Sequence, residues 1–374
     1  MTIGVLKETN GETRVSLLPE HIAVLKKQGV NVLIENAAGE NAFASDTAYE
    51  TATAKCTNRN EVLQEADIIL SINALSDTDI ANCKAKILFG FYQPLFNAAY
   101  IKSLSEKNFT VFSIDMLPRT TRAQSMDVLS SQANIAGYKA VLLAANIYPK
   151  YFPMFMTAAG SIPPAKMLIL GAGVAGLQAI ATAKRLGAVV EVFDTRPQVK
   201  EEVMSLGAKF VEVEGAADAA KAGGYAVEQT DAFMARQKAR IAESVLKSDI
   251  IICTAAIPGK KAPVLITEEM LHSMKSGSVI IDLAASTGGN TSHTKNNDTV
   301  VVNAVSIIGN SNLAANMPSD ASKLYGKNIL NFLQLIITKE GQINLNFEDD
   351  LVKGTCVAHG GVITNERVMQ AVQS

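Results

Sequence analysis

The feature that most constrains the fold is a strand, a glycine turn, a helix and a second strand in direct succession. Residues 165–194 read AKMLILGAGVAGLQAIATAKRLGAVVEVFD. The segment GAGVAG fits the pattern G-x-G-x-x-G, follows an apolar strand and opens a helix. A unit of this kind joins two parallel strands by a helix that crosses one face of the sheet. The sequence therefore predicts an α/β domain with a doubly wound parallel sheet.

Each glycine of this turn has its own physical role. Gly171 permits the tight turn, Gly173 lets the backbone approach a pyrophosphate, and Gly176 lets helix and strand pack closely. Asp194 ends the second strand, where a carboxylate accepts hydrogen bonds from the hydroxyls of an adenosine ribose. Arg196 could instead accept a 2′-phosphate, but Asp194 would repel that phosphate. We therefore predict that this turn binds NAD in preference to NADP.

The rest of the chain continues the alternation of strands and helices. Its 374 residues predict about two domains. Abundant aliphatic residues with few aromatic ones suit Ala-rich helices and Val/Ile-rich parallel strands. We expect two Rossmann-like doubly wound domains, one of residues 1–122 plus 338–374 and one of residues 150–315. Two long connecting helices, at 123–148 and 320–337, would join them with a cleft between the domains.

Charge and cysteine usage exclude several classes of function. The formal net charge is −2 and there is no long basic run, so nucleic acid is not an expected partner. The four cysteines and four histidines are scattered, so we expect reduced thiols and no metal site. The amino terminus MTIGVLKETN soon turns polar, and no apolar run reaches the roughly 18 residues of a membrane span. We therefore expect a cytoplasmic protein.

A stripe of short polar side chains marks the first long helix. If residues 119–145 wind as one helix, amides, hydroxyls and one carboxylate share a face. The members of this polar stripe are Gln124, Asp127, Ser130, Ser131 and Asn134, with Arg119 and Arg122 beside them. Polar helix faces usually meet water, but such faces usually carry Lys and Glu. Short polar groups are also what fixes a small polar ligand, so both interpretations stay open.

Two further segments belong with the glycine turn. Residues 220–237 lack strand character and contain Gly224 and Tyr225. They are either an ordinary surface loop or a mobile lid over the cofactor. Thr254 and Ala255 follow a predicted strand at the edge of the sheet where ligands of open α/β folds bind.

Several blocks together resemble the NAD(H)-binding component, domain I of the alpha subunit, of proton-translocating NAD(P)+ transhydrogenases. They are RAQSMDVLSSQANIAGYKAV, GAGVAGLQAIATAKRLGAVVEVFD, AGGYA, IPGKKAPVLITEEM and GSVIIDLAASTGGN. The resemblance covers nearly the whole chain. The segment GVLKETNGETRVSLLPE is shared more broadly with alanine dehydrogenases, which have the same two-domain fold.

The resemblance implies a mechanism of the Si-specific transhydrogenase type. The chain would bind NADH, and the hydride would pass directly to NADP+ held on a separate beta-type component. Membrane-spanning subunits would couple this step to proton translocation. The chain would therefore be catalytic only with its NADP(H)-binding partner. It would form a homodimer and lie at the inner face of the membrane as a peripheral protein.

The resemblance also implies the site residues. Gln124 and Arg119 would orient the nicotinamide and its ribose, and Asp127 and Ser130 would complete a hydrogen-bonded cage around the ring. Tyr225 matches the tyrosine of the mobile loop of the family. The predicted cofactor-binding residues are Arg119, Gln124, Gly171, Gly173, Val174, Gly176, Asp194, Thr195, Arg196, Gly224, Tyr225, Thr254 and Ala255.

Two other functions fit parts of the sequence. An alanine dehydrogenase on this fold needs a lysine, a histidine and an aspartate, whose positions here carry Asn73, Gln93 and Ser286. Without ionisable groups there, the oxidation of an amino acid lacks a proton acceptor. A non-catalytic NAD-binding sensor would share the glycine fingerprint, but it has no need of the polar cage.

Overall fold

The computed structural model describes residues 1–213 and 230–373. Its contacts divide the chain into two compact units. The first unit consists of Met1–Gln132 and Ala315–Ser374, and the second of Ala133–Ala314. The first unit is thus built from two separate stretches of the chain.

Strands and helices alternate along most of the described chain. The helices are α1 (Pro19–Lys27), α2 (Asp46–Thr51), α3 (Arg59–Glu65), α4 (Asp77–Asn82), α5 (Ala98–Glu106), α6 (Val128–Ile147), α7 (Val174–Arg185), α8 (Lys200–Ser205), α9 (Asp231–Lys247), α10 (Glu268–Ser273), α11 (Pro318–Ile336), α12 (Asp350–Thr355) and α13 (Glu366–Gln373). The strands are β1 (Thr2–Val5), β2 (Asn31–Glu35), β3 (Lys55–Thr57), β4 (Ile68–Leu70), β5 (Ile87–Gly90), β6 (Thr110–Ser113), β7 (Phe155–Thr157), β8 (Gly160–Ile162), β9 (Lys166–Leu170), β10 (Val189–Phe193), β11 (Lys209–Phe210), β12 (Ile250–Cys253), β13 (Val279–Asp282), β14 (Asp298–Val302), β15 (Val305–Gly309), β16 (Cys356–His359) and β17 (Val362–Ile363).

The sheet of the first unit has the strand order β3-β2-β1-β4-β5-β6-β16-β17. Strands β1 to β6 run parallel, whereas β16 pairs antiparallel with β6, and β17 antiparallel with β16. Central strands such as IIL in β4 and ILFG in β5 are buried along their whole length. Uninterrupted apolar runs of this kind are what a sheet covered on both faces requires. Two clusters of buried apolar side chains accompany the sheet.

The sheet of the second unit has the order β11-β10-β9-β12-β13-β15-β14. The chain moves outward from β9 to β11 and then returns to β12 on the other side of β9. This reversal is the switch point of a doubly wound fold. Only the edge strand β14 of this sheet's described strands runs antiparallel to its neighbour, β15. The predicted α/β class with doubly wound, mainly parallel sheets is therefore confirmed.

The first long helix begins later than the sequence pattern predicts. Instead of one helix over 123–148, a 3-10 segment over Thr121–Met126 precedes α6. The Asp127 carboxylate accepts a hydrogen bond of 3.0 Å from the backbone N–H of Ser130. This is the geometry of an N-cap, which starts a new helix at Val128. The other predicted long helix, α11, lies in the first unit.

Three other segments also differ from the sequence expectation. Within 220–237, residues 231–237 are helical, because the Thr230 hydroxyl caps α9 by accepting from the Phe233 N–H at 3.2 Å. Residues 214–229 lie outside the described residues. The tail expected to hold short strands and turns also contains α12 and α13. The loop before β9 contains the hairpin of β7 and β8.

This hairpin and the residues before it expose several large apolar side chains. The exposed fractions are 53% for Tyr151, 60% for Met154, 42% for Phe155 and 78% for Met156. Apolar groups that cluster on a surface in this way usually mark an interaction site. Among the described helices, none is both long enough and apolar enough to cross a membrane.

Candidate functional site

The glycine turn of the second unit lies between β9 and α7. Gly171 has φ +102°, and a side chain there would collide with the Thr254 hydroxyl. A side chain at Gly176 would collide with the carbonyl oxygen of Gly171. At Gly173, by contrast, an added Cβ would have no heavy atom within 4 Å. The turn therefore requires glycine for packing at two positions and leaves the backbone at the third open to a ligand.

Thr254 links the ends of β12 and β9. Its N–H donates to the Leu170 carbonyl at 2.8 Å. Its hydroxyl lies 3.1 Å from the carbonyl oxygens of both Leu170 and Gly171. These bonds fix the carboxyl ends of two neighbouring strands at the switch point, where open α/β sheets bind ligands. Val174 begins α7 and is 39% exposed, so the first N–H groups of that helix face an accessible surface.

Asp194 lies at the end of β10 and is tied to the glycine turn. Its Oδ2 accepts from the Ala172 N–H at 2.7 Å. It also forms an ion pair with Arg196, whose Nη2 is 2.7 Å from the same oxygen. This hydrogen bonding raises the pKa of Arg196 above its ordinary value. The predicted ribose acceptor and the residue that raised the question of NADP thus bind each other.

A small pocket adjoins Asp194. It is lined by Thr195, Phe210 and Phe233 among others, and Lys200 and Glu212, which also line it, form an ion pair of 2.6 Å. Aromatic side chains beside a carboxylate suit the base and ribose of a nucleoside. Thr195 therefore lies where the sequence predicts a cofactor contact, whereas Gly224 and Tyr225 lie outside the described residues.

Asn290 is a site residue that sequence reasoning missed. Its side chain is fully buried, and its Nδ2 donates to the carbonyls of Ala255 and Pro263, each at 2.8 Å. Its Oδ1 accepts from the Ala255 N–H at 3.1 Å. Ala255 therefore has no backbone N–H left for a ligand, and its predicted cofactor contact is limited to other atoms. The available signal was an asparagine directly after two glycines at the end of a predicted strand segment.

The polar stripe does not form one continuous face. Asp127 accepts from the Ser130 hydroxyl at 2.6 Å as well as from its N–H, so these two predicted residues contact each other. The Ser131 hydroxyl donates to Asn328 of α11 at 2.7 Å. The Asn134 amide lies 3.4 Å from Gln178 of α7. Some members of the stripe thus serve helix packing.

The 3-10 segment carries Gln124 and is held from outside. The amides of Asn328 and Asn331 each donate to the Ser125 carbonyl at 2.9 Å. Gln124 itself is exposed, and its side chain has no hydrogen-bond partner within the described parts of the chain. Arg119 precedes the segment and is also exposed. Gln124 is therefore the stripe residue that is most available to a ligand.

Arg122, the other arginine beside the stripe, contacts the C-terminal stretch of the first unit. Its guanidinium forms ion pairs with Asp349 and Asp350 at the start of α12. These contacts raise the pKa of Arg122 and lower the pKa of Asp349. Arg122 thus fixes the chain before the 3-10 segment to α12.

Comparison with known proteins identifies the family. The model of the C-terminal domain of the alanine dehydrogenase/PNT family matches residues 140–366, and the model of its N-terminal domain matches residues 4–136. The chain belongs to the alanine dehydrogenase/PNT family. The first portion of a divided NAD(P) transhydrogenase subunit alpha from Rickettsia prowazekii is 43% identical over 381 residues, which cover 100% of this chain and 99% of that protein.

Two further members of the family are similarly close. NAD(P) transhydrogenase subunit alpha of Haemophilus influenzae is 44% identical over 365 residues, covering 96% of this chain and 71% of that protein. A crystal structure of transhydrogenase from Sinorhizobium meliloti has a TM-score of 0.88 and 42% identity, covering 97% of this chain and 100% of that chain. The resemblance to transhydrogenase alpha subunits is thus confirmed, and the family binds NAD(H).

The positions at which alanine dehydrogenases of this family need ionisable groups carry neutral side chains here. The Asn73 amide donates to the Glu8 carboxylate at 3.1 Å. Gln93 has a left-handed backbone with φ +48°, and the Ser286 N–H donates to Ser311 at 2.7 Å. Burial raises the pKa of Glu8 to about 7. Among the residues that the structure describes, no group of His, Cys, Asp and Glu side chains could hold a metal ion.

Proposed function

We propose that this chain is the NAD(H)-binding subunit of a proton-translocating NAD(P)+ transhydrogenase. The hydride passes directly from NADH to NADP+ held on a partner component. The observation that carries the proposal is the glycine turn at the switch point. There the backbone is open at Gly173 and a carboxylate, Asp194, is bound to the turn itself through Ala172.

The residues of the second unit have distinct roles in this proposal. The N–H groups at the start of α7, from Val174 onward, bind the pyrophosphate. Asp194 receives the adenosine ribose, and Thr195 lines the pocket beside it. Thr254 keeps the turn in place through its bonds to β9 and Gly171. This set fits the cofactor because each group is a donor, an acceptor or an opening of the kind that a dinucleotide needs.

The residues of the first unit hold the reacting ring. Arg119 and Gln124 orient the nicotinamide and its ribose, and Asp127 with Ser130 supplies a pair of hydrogen-bonding groups beside them. When bound, NADH supplies the hydride, and the protein supplies its position. No general acid or base is needed, because hydride transfer between two nicotinamides releases no proton. The neutral side chains of Asn73 and Gln93 are consistent with that chemistry.

The proposal includes specific partners. Catalysis of the Si-specific, proton-translocating type requires a beta-type component loaded with NADP(H) and membrane-spanning subunits. The chain binds them as a peripheral protein at the inner, cytoplasmic face of the membrane. It acts as a homodimer, and the exposed apolar side chains around the hairpin of β7 and β8 offer a surface for a second copy.

The deciding experiment is NADH oxidation by the purified chain in two mixtures. One mixture contains the NADP+-loaded NADP-binding component of a transhydrogenase, and the other contains pyruvate and ammonia. We expect turnover in the first mixture alone. Turnover in the second would instead favour an alanine dehydrogenase with another proton acceptor. Tight NADH binding without turnover in either mixture would favour the NAD-binding sensor.

Replacement of Gln124 by Asn tests the role of the first unit. We expect hydride transfer to slow by roughly tenfold or more while NADH affinity changes little, because a shorter amide displaces the ring but leaves the adenosine anchored. Single-turnover kinetics and NADH titration measure the two effects. Gln64→Asn on α3, whose amide donates to the Asn82 carbonyl, is a matched control. Equal losses in rate and affinity would contradict a positioning role.

A further inference from the structure

The Asp194 carboxylate has every acceptor position occupied within the protein. Its Oδ1 accepts from the backbone N–H of Arg196 at 2.8 Å and from the Arg196 Nε at 2.9 Å. Its Oδ2 accepts from the Ala172 N–H and the Arg196 Nη2, each at 2.7 Å. A carboxylate offers about four lone-pair positions, two on each oxygen. A ribose can therefore bind Asp194 only if one or more of these donors leaves.

The four donors differ in how readily they can leave. Two are backbone N–H groups, and that of Ala172 belongs to the glycine turn. The other two are on the Arg196 guanidinium, which binds one oxygen through Nε and the other through Nη2. Rotation of that side chain would free one position on each oxygen without disturbing the backbone. Two adjacent free positions match the two neighbouring hydroxyls of a ribose.

We propose that Arg196 is a latch on Asp194 that sets both the affinity and the selectivity of the nucleotide site. The adenosine ribose binds by displacing the guanidinium from the carboxylate. This inference rests on the proposed function, in which Asp194 receives the ribose of NADH. The side chains of Asp194 and Arg196 are only 6% and 19% exposed, so water screens their attraction weakly. The displaced bonds are charge-assisted, whereas ribose hydroxyls are neutral donors, so the latch lowers NADH affinity.

The latch has the opposite effect on NADPH. A 2′-phosphate removes one hydroxyl donor and brings negative charge towards Asp194. The displaced guanidinium of Arg196 is a cation next to that phosphate and compensates some of the repulsion. Arg196 therefore narrows the preference for NADH over NADPH, although Asp194 still sets its direction.

The test compares nucleotide dissociation constants of the full chain and of Arg196→Ala. We expect NADH to bind about five- to tenfold more tightly to the variant, and NADPH to bind no more tightly than before. Reduced nicotinamide mononucleotide lacks the adenosine ribose, so its affinity should not change. Arg196→Lys keeps the charge without the two-pronged geometry and should give an intermediate NADH affinity. It also carries the test if the alanine variant fails to fold.

Arg59→Ala is the matched control for loss of an ion pair. Arg59 binds Asp79 with the same two-pronged geometry, at 2.7 and 2.9 Å, in the first unit. Its replacement should lower thermal stability and leave NADH affinity unchanged. NADH affinity that is unchanged or weaker in Arg196→Ala overturns the latch.

Asp194→Ala separates failure of the latch from failure of the proposed function. If this variant binds NADH more weakly but the mononucleotide equally well, the ribose role of Asp194 stands and an unresponsive Arg196 overturns the latch alone. If Asp194→Ala binds NADH as tightly as the original chain, both the ribose anchor and the latch are wrong.

Discussion

Replacement of Asn290 by Ala should unfold the second unit at a lower temperature and weaken NADH binding together. Asn290 satisfies three backbone groups on two separate segments, the N–H and C=O of Ala255 and the C=O of Pro263. Alanine fills the position without strain but provides none of these partners. The segment that follows β12 would then lose its connection to the loop that ends at Asn290.

The size of the effect follows from those three hydrogen bonds. A typical intramolecular hydrogen bond contributes about 1 kcal/mol, so their loss costs roughly 3 kcal/mol. The full penalty for buried unpaired groups would be larger, but Ala255 and Pro263 are only partly buried, so water can reach them. For a unit of this size, about 3 kcal/mol lowers the melting temperature by roughly 6–12 °C.

Thermal unfolding with and without NADH, combined with NADH titration, measures both effects. Asn146→Ala is a matched control, because Asn146 is an exposed residue on α6 of the same unit. It should change stability by less than about 0.5 kcal/mol. A melting temperature for Asn290→Ala within about 2 °C of the original, with NADH affinity unchanged, would refute the idea that Asn290 supports the site.

Two further perturbations test the first unit. Asp127→Ala should cost about 1 kcal/mol of unfolding free energy because α6 loses its N-cap, whereas Asp127→Asn keeps a capping oxygen; hydride transfer that slows equally in both variants would assign the carboxylate to the ring, and slowing in the alanine variant alone would assign it to the cap. Burial raises the pKa of Glu8 from 4.5 to about 7, so between these values the folded chain holds a proton that the unfolded chain has lost. The free energy of unfolding should therefore fall by about 3 kcal/mol as pH rises through that window, a slope that urea titrations would detect and that Glu8→Gln should remove; a rising slope would contradict the burial argument.

The regions of the fold that depend on local sequence could be predicted from it. The glycine turn follows from steric requirements within a few residues, and the apolar runs of β9 and β12 reflect burial on both faces of a sheet. The start of α6 was also encoded locally, by Asp127 as a cap. Helical periodicity alone overlooked it, because the 3-10 segment before the cap has a similar spacing of apolar residues.

The remaining features depend on residues that are distant in the sequence. Ser131 looked like a ligand-binding or solvated residue until its partner Asn328 in α11 was known. The role of Asn290 depends on the path of the chain at Ala255 and Pro263. Hydrophobic patterns carry no information on such pairings, since they report burial and not the identity of the neighbour.

The discontinuous first unit has a consequence for synthesis on the ribosome. Its strand β6 pairs with β16, so Phe112 must wait for Cys356 before the sheet is complete. The second unit, Ala133–Ala314, emerges in between and has all its strands available first. At about 5–20 residues per second, the wait lasts on the order of ten seconds or more. During that time the edge of β6 is unpaired, and we expect the nascent chain to be most prone to aggregation then.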